Sequence, residues 1–264
     1  MPEYSAKDVQ KLRQLTGVGM LDAKKALEES KGNMDEATVW LRTQGLASQA
    51  KRADREASEG AVAIGRSGDA MSIVELRSET DFVAKSDAFV ALVTSLADLV
   101  ASKGESATEE LNDPLERMKV ISKENISIGR VFRIQAPPAG VVDSYLHLQA
   151  GRGVNAVVVA LEGGSVELAH DIAAHIAFAR PSYISRAEVP ESEVEAERET
   201  VEKIARNEGK PDAALPKIIE GRLGGWYKER VLLDQPFVKD EKQTIAKLLG
   251  PATVTQFAQV IIGD

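Results

Sequence analysis

One pattern restricts the fold of this chain more than any other: a strand, a turn, a second strand and a long helix occur in that order twice. The first copy starts near Gly60. Ala61 to Ile64 and Met71 to Leu76 flank Gly65-Arg66-Ser67-Gly68-Asp69, which predicts a hairpin. A helix is predicted over 86–102, where Phe89, Leu92, Val93, Leu96 and Val100 fall on one side. The second copy starts near Gly140. Its strands are Val141 to Leu148 and Asn155 to Leu161, its turn Gln149 to Gly153, and its helix Ser165 to Ala179. The repetition reads as an internal duplication of one α+β unit. Asp113-Pro114 opens a further helix, because proline suits a first turn. Ser127 to Gln135 is a strand ended by Pro137-Pro138, and Val254 to Ile262 is another.

The residues outside the repeat are helical. Over 1–46, Val9, Leu12 and Leu15 share helical spacing behind Ser5 and Asp8, which resemble a capping box. Thr16-Gly17-Val18-Gly19-Met20 breaks that helix. A second runs from about Asp22 to Ser30 with Ala23, Ala26 and Leu27 on one face, and a third carries Ala37, Trp40 and Leu41. Three short helices make a bundle similar in plan to ubiquitin-associated domains, and a bundle of this size is marginal alone. Residues 47–59 form a charged linker, and Lys51, Arg52 and Arg55 within it read as solvated. Between 190 and 230, the stripe of Val194, Val201, Ile204 and Ala205 faces that of Leu215, Ile218, Ile219 and Leu223 across a turn at Gly209-Lys210-Pro211. Thin seams of this kind predict an antiparallel helical hairpin that projects from the body. A short helix is predicted near Lys242 to Leu249.

The fold class is therefore α+β: a three-helix ubiquitin-associated-like bundle with its linker (1–55), two related core subdomains with antiparallel sheets (56–139, and 140–189 with 231–264), and an inserted coiled-coil arm (190–230).

Charge and motif content narrow the function. Lys and Arg total 33 against 41 Asp and Glu, a net charge of -8, which argues against a surface built to coat nucleic acid. With no cysteine, thiolate metal sites and cysteine nucleophiles are excluded. The N-terminus has no apolar signal region, and no stretch approaches the ~18 apolar residues of a membrane span, so a cytoplasmic protein is expected. No P-loop motif occurs. Gly151-Arg152-Gly153-Val154-Asn155-Ala156 formally matches a dinucleotide fingerprint, but strand-like Val157-Val158-Val159 follows where a helix must start. The three histidines are His147, His170 and His175; the last two lie five apart, a poor spacing for one metal, and read as surface or packing positions. No catalytic residue, metal ligand or cofactor is expected, and the chain is not expected to be an enzyme.

One segment stands apart: Ser78-Glu79-Thr80-Asp81-Phe82-Val83-Ala84-Lys85, between a strand end and a helix start. Thr80 or Asp81 as a helix cap, with Phe82 stapled into the core, accounts for it without any function. A functional loop accounts for it equally, and spacing does not choose between them.

Thr16 to Leu27 resembles the N-terminal signature of the elongation factor Ts family, and Glu79 to Lys85 resembles its second. Further similar segments are Glu124-Asn125-Ile126, Ser144-Tyr145-Leu146-His147, His170 to Pro181, Glu220-Gly221-Arg222 and Gln235-Pro236-Phe237-Val238. They run in order over nearly the whole chain. The resemblance implies a guanine nucleotide exchange factor that binds elongation factor Tu and promotes GDP release. It implies that Thr80, Asp81, Phe82 and Val83 lie beside the GTPase's magnesium site. It further implies contacts from Val18, Gly19 and Met20 to the GTPase domain, and from His147 where the phosphate-binding loop shifts. A homodimer or a 2:2 complex with the GTPase stays open. So do two rival readings, a binding protein without exchange activity and an enzyme of unknown type.

Overall fold

The computed structural model describes residues 4–50, 52 and 54–264, and for residues 46–50 the backbone alone. Lys51 of the basic linker cluster lies outside the described residues.

Helix α1 (Ala6–Thr16) starts at a true capping box: the Ser5 hydroxyl accepts from the Asp8 amide, and the Asp8 carboxylate accepts from the Ser5 amide at 2.8 Å. Gly17, in the left-handed region at φ 73°, ends it. Helix α2 (Met20–Glu29) begins two residues before the expected Asp22. Helix α3 (Met34–Ala50) follows Asn33, whose side chain accepts from the Asp35 and Glu36 amides. Val9, Leu12, Val18, Ala23, Ala26, Leu27, Ala37 and Leu41 form the bundle core. Leu15, expected on the same stripe, is 68% exposed. The chain reverses at Gly17, and Val18 takes the place in the core.

Strands β1 (Glu59–Ser67) and β2 (Ala70–Ser78) pair antiparallel from Glu59↔Ser78 to Ser67↔Ala70. The hairpin is thus longer and its turn tighter than the sequence pattern suggests. After them come a one-turn helix α4 (Asp81–Ala84), helix α5 (Asp87–Lys103, capped by Ser86), helix α6 (Asn112–Ser122) and strand β3 (Ser127–Gln135), which pairs with β2. The second copy comprises β4 (Gly140–Gln149), β5 (Arg152–Glu162) and helix α7 (Val166–Ala179, capped by Ser165). Helices α8 (Glu191–Asn207) and α9 (Leu215–Arg230) form the arm around Val201, Ala205, Leu215, Ile219 and Leu223. Ile204, expected on that seam, is exposed. A small ribbon of β6 (Pro236–Phe237) and β7 (Asp240–Thr244) leads into α10 (Ile245–Leu249), so Lys242 to Thr244 are strand where a helix was expected. Strand β8 (Thr253–Ile261) closes the second sheet, β4-β5-β8, and matches the role of β3 in the first.

The layers follow from which faces are apolar. Ala61, Ala63, Val74 and Leu76 lie under Phe89, Val93 and Leu96 of α5. The opposite face of that sheet, with Val62, Met71, Ile73 and Ile134, packs on Val142, Ala156, Val158 and Ala160 of the second sheet. Val157, Val159 and Leu161 then lie under Ile172, Ala173 and Ile176 of α7. The order is helix, sheet, sheet, helix. At Gly65 β1 approaches α5 so closely that an added Cβ would lie 2.2 Å from the Ala97 carbonyl oxygen.

His175 locks the base of the arm to this core. It is buried, and its Nδ1 accepts from the Val238 amide at 3.3 Å. Nε2 therefore carries the proton and faces Gln235 Oε1 at 3.0 Å. The Gln235 amide group donates in turn to the Ala179 and Glu229 carbonyls.

Two outcomes test this packing. Gly65→Ala should destabilise the fold by about 3 kcal/mol through overpacking against backbone. Gly224→Ala, in α9 with nothing within 4 Å of the added methyl, should stabilise it by about 0.5–1 kcal/mol. Urea unfolding of both variants measures the contrast.

The second concerns pH. Burial holds the His175 pKa below its ordinary value, outweighing the Gln235 hydrogen bond. The unfolded chain then takes up this proton first as pH falls, so the contribution is complete above about pH 6.5 and declines below it. The urea midpoint should drop between pH 7.5 and 5.5, and His175→Gln should flatten that slope. An unchanged slope in the variant would assign the effect to other groups.

Candidate protein-binding site

The segment after β2 is braced from both sides. Thr80 is the N-cap of α4: its hydroxyl oxygen accepts from the Val83 amide at 3.4 Å and its proton goes to Glu124 Oε1 at 2.5 Å. Glu124 Oε2 accepts from the Glu79 and Thr80 amides, both at 3.1 Å. Reciprocally, Glu79 Oε1 accepts from the Asn125 amide at 2.6 Å. The other Glu79 oxygen meets Arg55 at 3.4 Å, and the Asn125 side chain donates to the Arg55 carbonyl at 2.7 Å. Val83 is half-buried against the first core and Ala84 is fully buried.

This brace aims two side chains outward. Asp81 pairs with Lys85 one helical turn on, at 2.5 Å. The Lys85 hydrogen bond is the main reason its carboxyl stays below the usual range, and the positive charge of Arg152 adds to it. Phe82 is 83% exposed. The cap assignment for Thr80 thus holds, but Phe82 is no staple into the core. Leaving a phenylalanine outside forgoes about 2–3 kcal/mol of burial, so this chain's own packing supplies no reason for the ring.

The other expected contact residues flank the turn. Arg152, at the start of β5, donates to the Gly60 carbonyl and to Glu59 Oε2, the latter at 2.8 Å. That anchors the β4–β5 tip against the end of the first sheet from which the turn emerges. His147 is exposed near this tip, followed by Leu148 at 63% exposure. On the other side Lys123 pairs with Asp22 at 2.8 Å, one residue from Glu124, which seats the start of α2 beside the brace. Gly19 and Met20 are exposed there, with Leu21 next to them, but Val18 is buried in the bundle core. Leu21 and Leu148 as exposed apolar points, and Glu124 as the anchor, are absent from the expectations. The polar pair Glu124-Asn125 just ahead of β3 is the signal that could have flagged the anchor.

Among the described residues no cluster of His, Cys, Asp and Glu could hold a metal ion. No described helix is long and apolar enough to cross a membrane.

Exposed apolar side chains on braced turns at one end of a layered α+β core are what a protein that binds another macromolecule presents. Comparison with known proteins fixes the family. The family model described as Elongation factor TS matches residues 79–264. The proteins named Elongation factor Ts from Clavibacter michiganensis subsp. michiganensis and Saccharopolyspora erythraea are each 43% identical to this chain, and that from Micrococcus luteus is 41% identical; each alignment covers 100% of both chains. The chain belongs to the elongation factor Ts family, which is generally the nucleotide exchange factor for elongation factor Tu.

Glu124→Ala should remove three acceptor contacts at once. Hydrogen bonds to a charged group contribute about 1.5–3 kcal/mol, so a loss of about 2 kcal/mol in urea is expected. Amide hydrogen exchange should quicken at 79–84 and stay unchanged in α7. Unaltered exchange at Thr80 would show that the brace does not hold the turn.

Proposed function

We propose that this chain binds elongation factor Tu in its GDP form and speeds GDP release, with Thr80, Asp81, Phe82 and Val83 directed at the GTPase's magnesium site. The observation that carries the reading is the exposed Phe82 on a turn held by Glu124. Asp81 supplies an ionised carboxylate beside it, which changes the field at a bound magnesium ion and competes for its water ligands. The ring wedges between packed elements of the partner. His147 and the Gly19-Met20 loop complete the contact on either side, with Val18 holding that loop's shape from within.

Such an activity needs no nucleophile, acid, base or cofactor in this chain. A partner that binds the empty GTPase better than the loaded one weakens nucleotide binding by the same factor. The arm at 190–230 shares no side chain with the turn and is proposed to be dispensable for exchange on the free GTPase. The proposed setting is the cytoplasm, during translation elongation.

Stopped-flow release of fluorescent GDP from elongation factor Tu tests the reading. The wild-type chain should accelerate it, and Phe82→Ala should slow the accelerated rate about 30-fold, the equivalent of losing an aromatic hot spot of ~2 kcal/mol. Its stability should stay within about 0.5 kcal/mol of wild type, as for a surface substitution. Binding without any acceleration would favour a plain binding protein. A Phe82→Ala variant that melts early yet exchanges normally would refute the assignment of the ring.

A further inference from the structure

Arg152 is an odd residue to bury. Only 8% of it is exposed, its Nη1 donates to the Gly60 carbonyl, and its Nη2 donates to Glu59. Its Nε is buried with no hydrogen-bond partner, alone among the described residues in that respect. An orphaned donor in a buried cation is a cost that an apolar side chain of the same shape would avoid. Stability alone does not call for an arginine here.

Its place in the fold suggests what does. Glu59 and Gly60 pair with Ser78 and Arg77, the last residues of β2, and Thr80 lies two residues beyond. Arg152 itself pairs with Gln149, next to Leu148 and His147 at the β4–β5 tip. Beside it the two sheets touch: an added Cβ at Gly153 would lie 2.1 Å from the Val62 carbonyl oxygen. One guanidinium thus ties the root of the Thr80–Val83 turn to the tip that carries His147 and Leu148. Its charge also reaches Asp81. A planar fork that grips a carbonyl and a carboxylate at once fixes orientation as well as distance, which a lysine cannot do.

We infer that Arg152 is a positioning residue for nucleotide exchange: it sets the spacing between the Phe82 turn and the His147–Leu148 tip, so that both engage the partner at once. The inference rests on the exchange reading above. Two contact points held at a fixed separation act together on the nucleotide site. Released from each other, each still binds, but the strain each imposes relaxes into this chain instead of the partner.

The test uses the full-length chain with Arg152→Lys and Arg152→Met. At saturating factor the maximal rate of GDP release should fall about tenfold in both, while the half-saturating concentration stays within about twofold. In a Phe82→Ala background Arg152→Met should cost less than about twofold, because the element it positions has lost its tip. Amide exchange in the free chain should quicken together at 80–83 and 147–149, and not in α8. An undiminished maximal rate, or a full tenfold loss that persists beside Phe82→Ala, would overturn the inference. Failure of both variants to fold would assign Arg152 a structural role and overturn it too. If the wild-type chain does not accelerate GDP release, the exchange reading falls. Amide exchange then decides alone whether Arg152 couples the two segments, and unchanged protection in them overturns the coupling.

Discussion

The whole architecture hangs on two strands that are buried on both faces. In β2, Ile73 and Val74 point to opposite sides and both are fully buried; in β5 the same holds for Val157, Val158, Val159, Ala160 and Leu161. A strand of that kind needs an apolar layer above and below it. Each sheet finds one cover in its own helix and the other in its twin sheet. The duplicated unit is therefore unstable singly and satisfied in pairs. The buried carboxylate of β2 is paired. Burial pushes the Glu75 carboxyl up, but hydrogen bonds from Arg130 and Arg77 outweigh it and hold it below its ordinary value. Arg130 also donates to the Ile261 carbonyl, joining the first sheet to the last strand of the second.

Back-to-back sheets place the end of β2 and the β4–β5 tip at one end of the core, with the link from α6 to β3 alongside. Glu124 accepts from the Glu79 amide and Glu79 from the Asn125 amide, which ties the end of β2 to that link, and the Lys123–Asp22 ion pair joins it to the bundle. Val120 of α6 packs into the bundle's own core as well. A three-helix unit too small to be secure alone is thus seated on the larger core. The exposed Arg42–Asp113 pair at 3.9 Å adds little to that seating.

Features decided by neighbours along the chain were legible in the sequence: the Ser5–Asp8 box, the helix starts near Ser86 and Ser165, and the end of β3 before Pro137-Pro138. Features decided by distant partners were not. Leu15 and Ile204 carry the expected spacing and are still exposed; at Leu15 the helix ends at Gly17 and Val18 fills the core instead. Lys242 to Thr244 form a strand only because β6 is there to pair with. The candidate site shows the same division. Thr80 as a cap follows from its position before a helix, whereas Phe82 in or out depends on whether the fold supplies a wall for it. His175 and Gln235 sit in family-like segments, and the structure gives both a packing role at the root of the arm. Resemblance alone would not separate them from contact residues.

The way the turn is braced bears on how an exchange factor can work. A ring that must separate packed elements of another protein does so only as far as its own support resists. On a mobile loop, part of the contact energy would go into ordering the loop. Here the hydrogen bonds that order the turn come from this chain itself. Thr80 is held by its cap and by Glu124, Val83 and Ala84 pack in the first core, and Phe82 between them is exposed. In the proposed role, the apolar area withheld from this chain's own core is what the partner covers. In the proposed exchange role, stability given up at one residue and support from its neighbours are two sides of one arrangement.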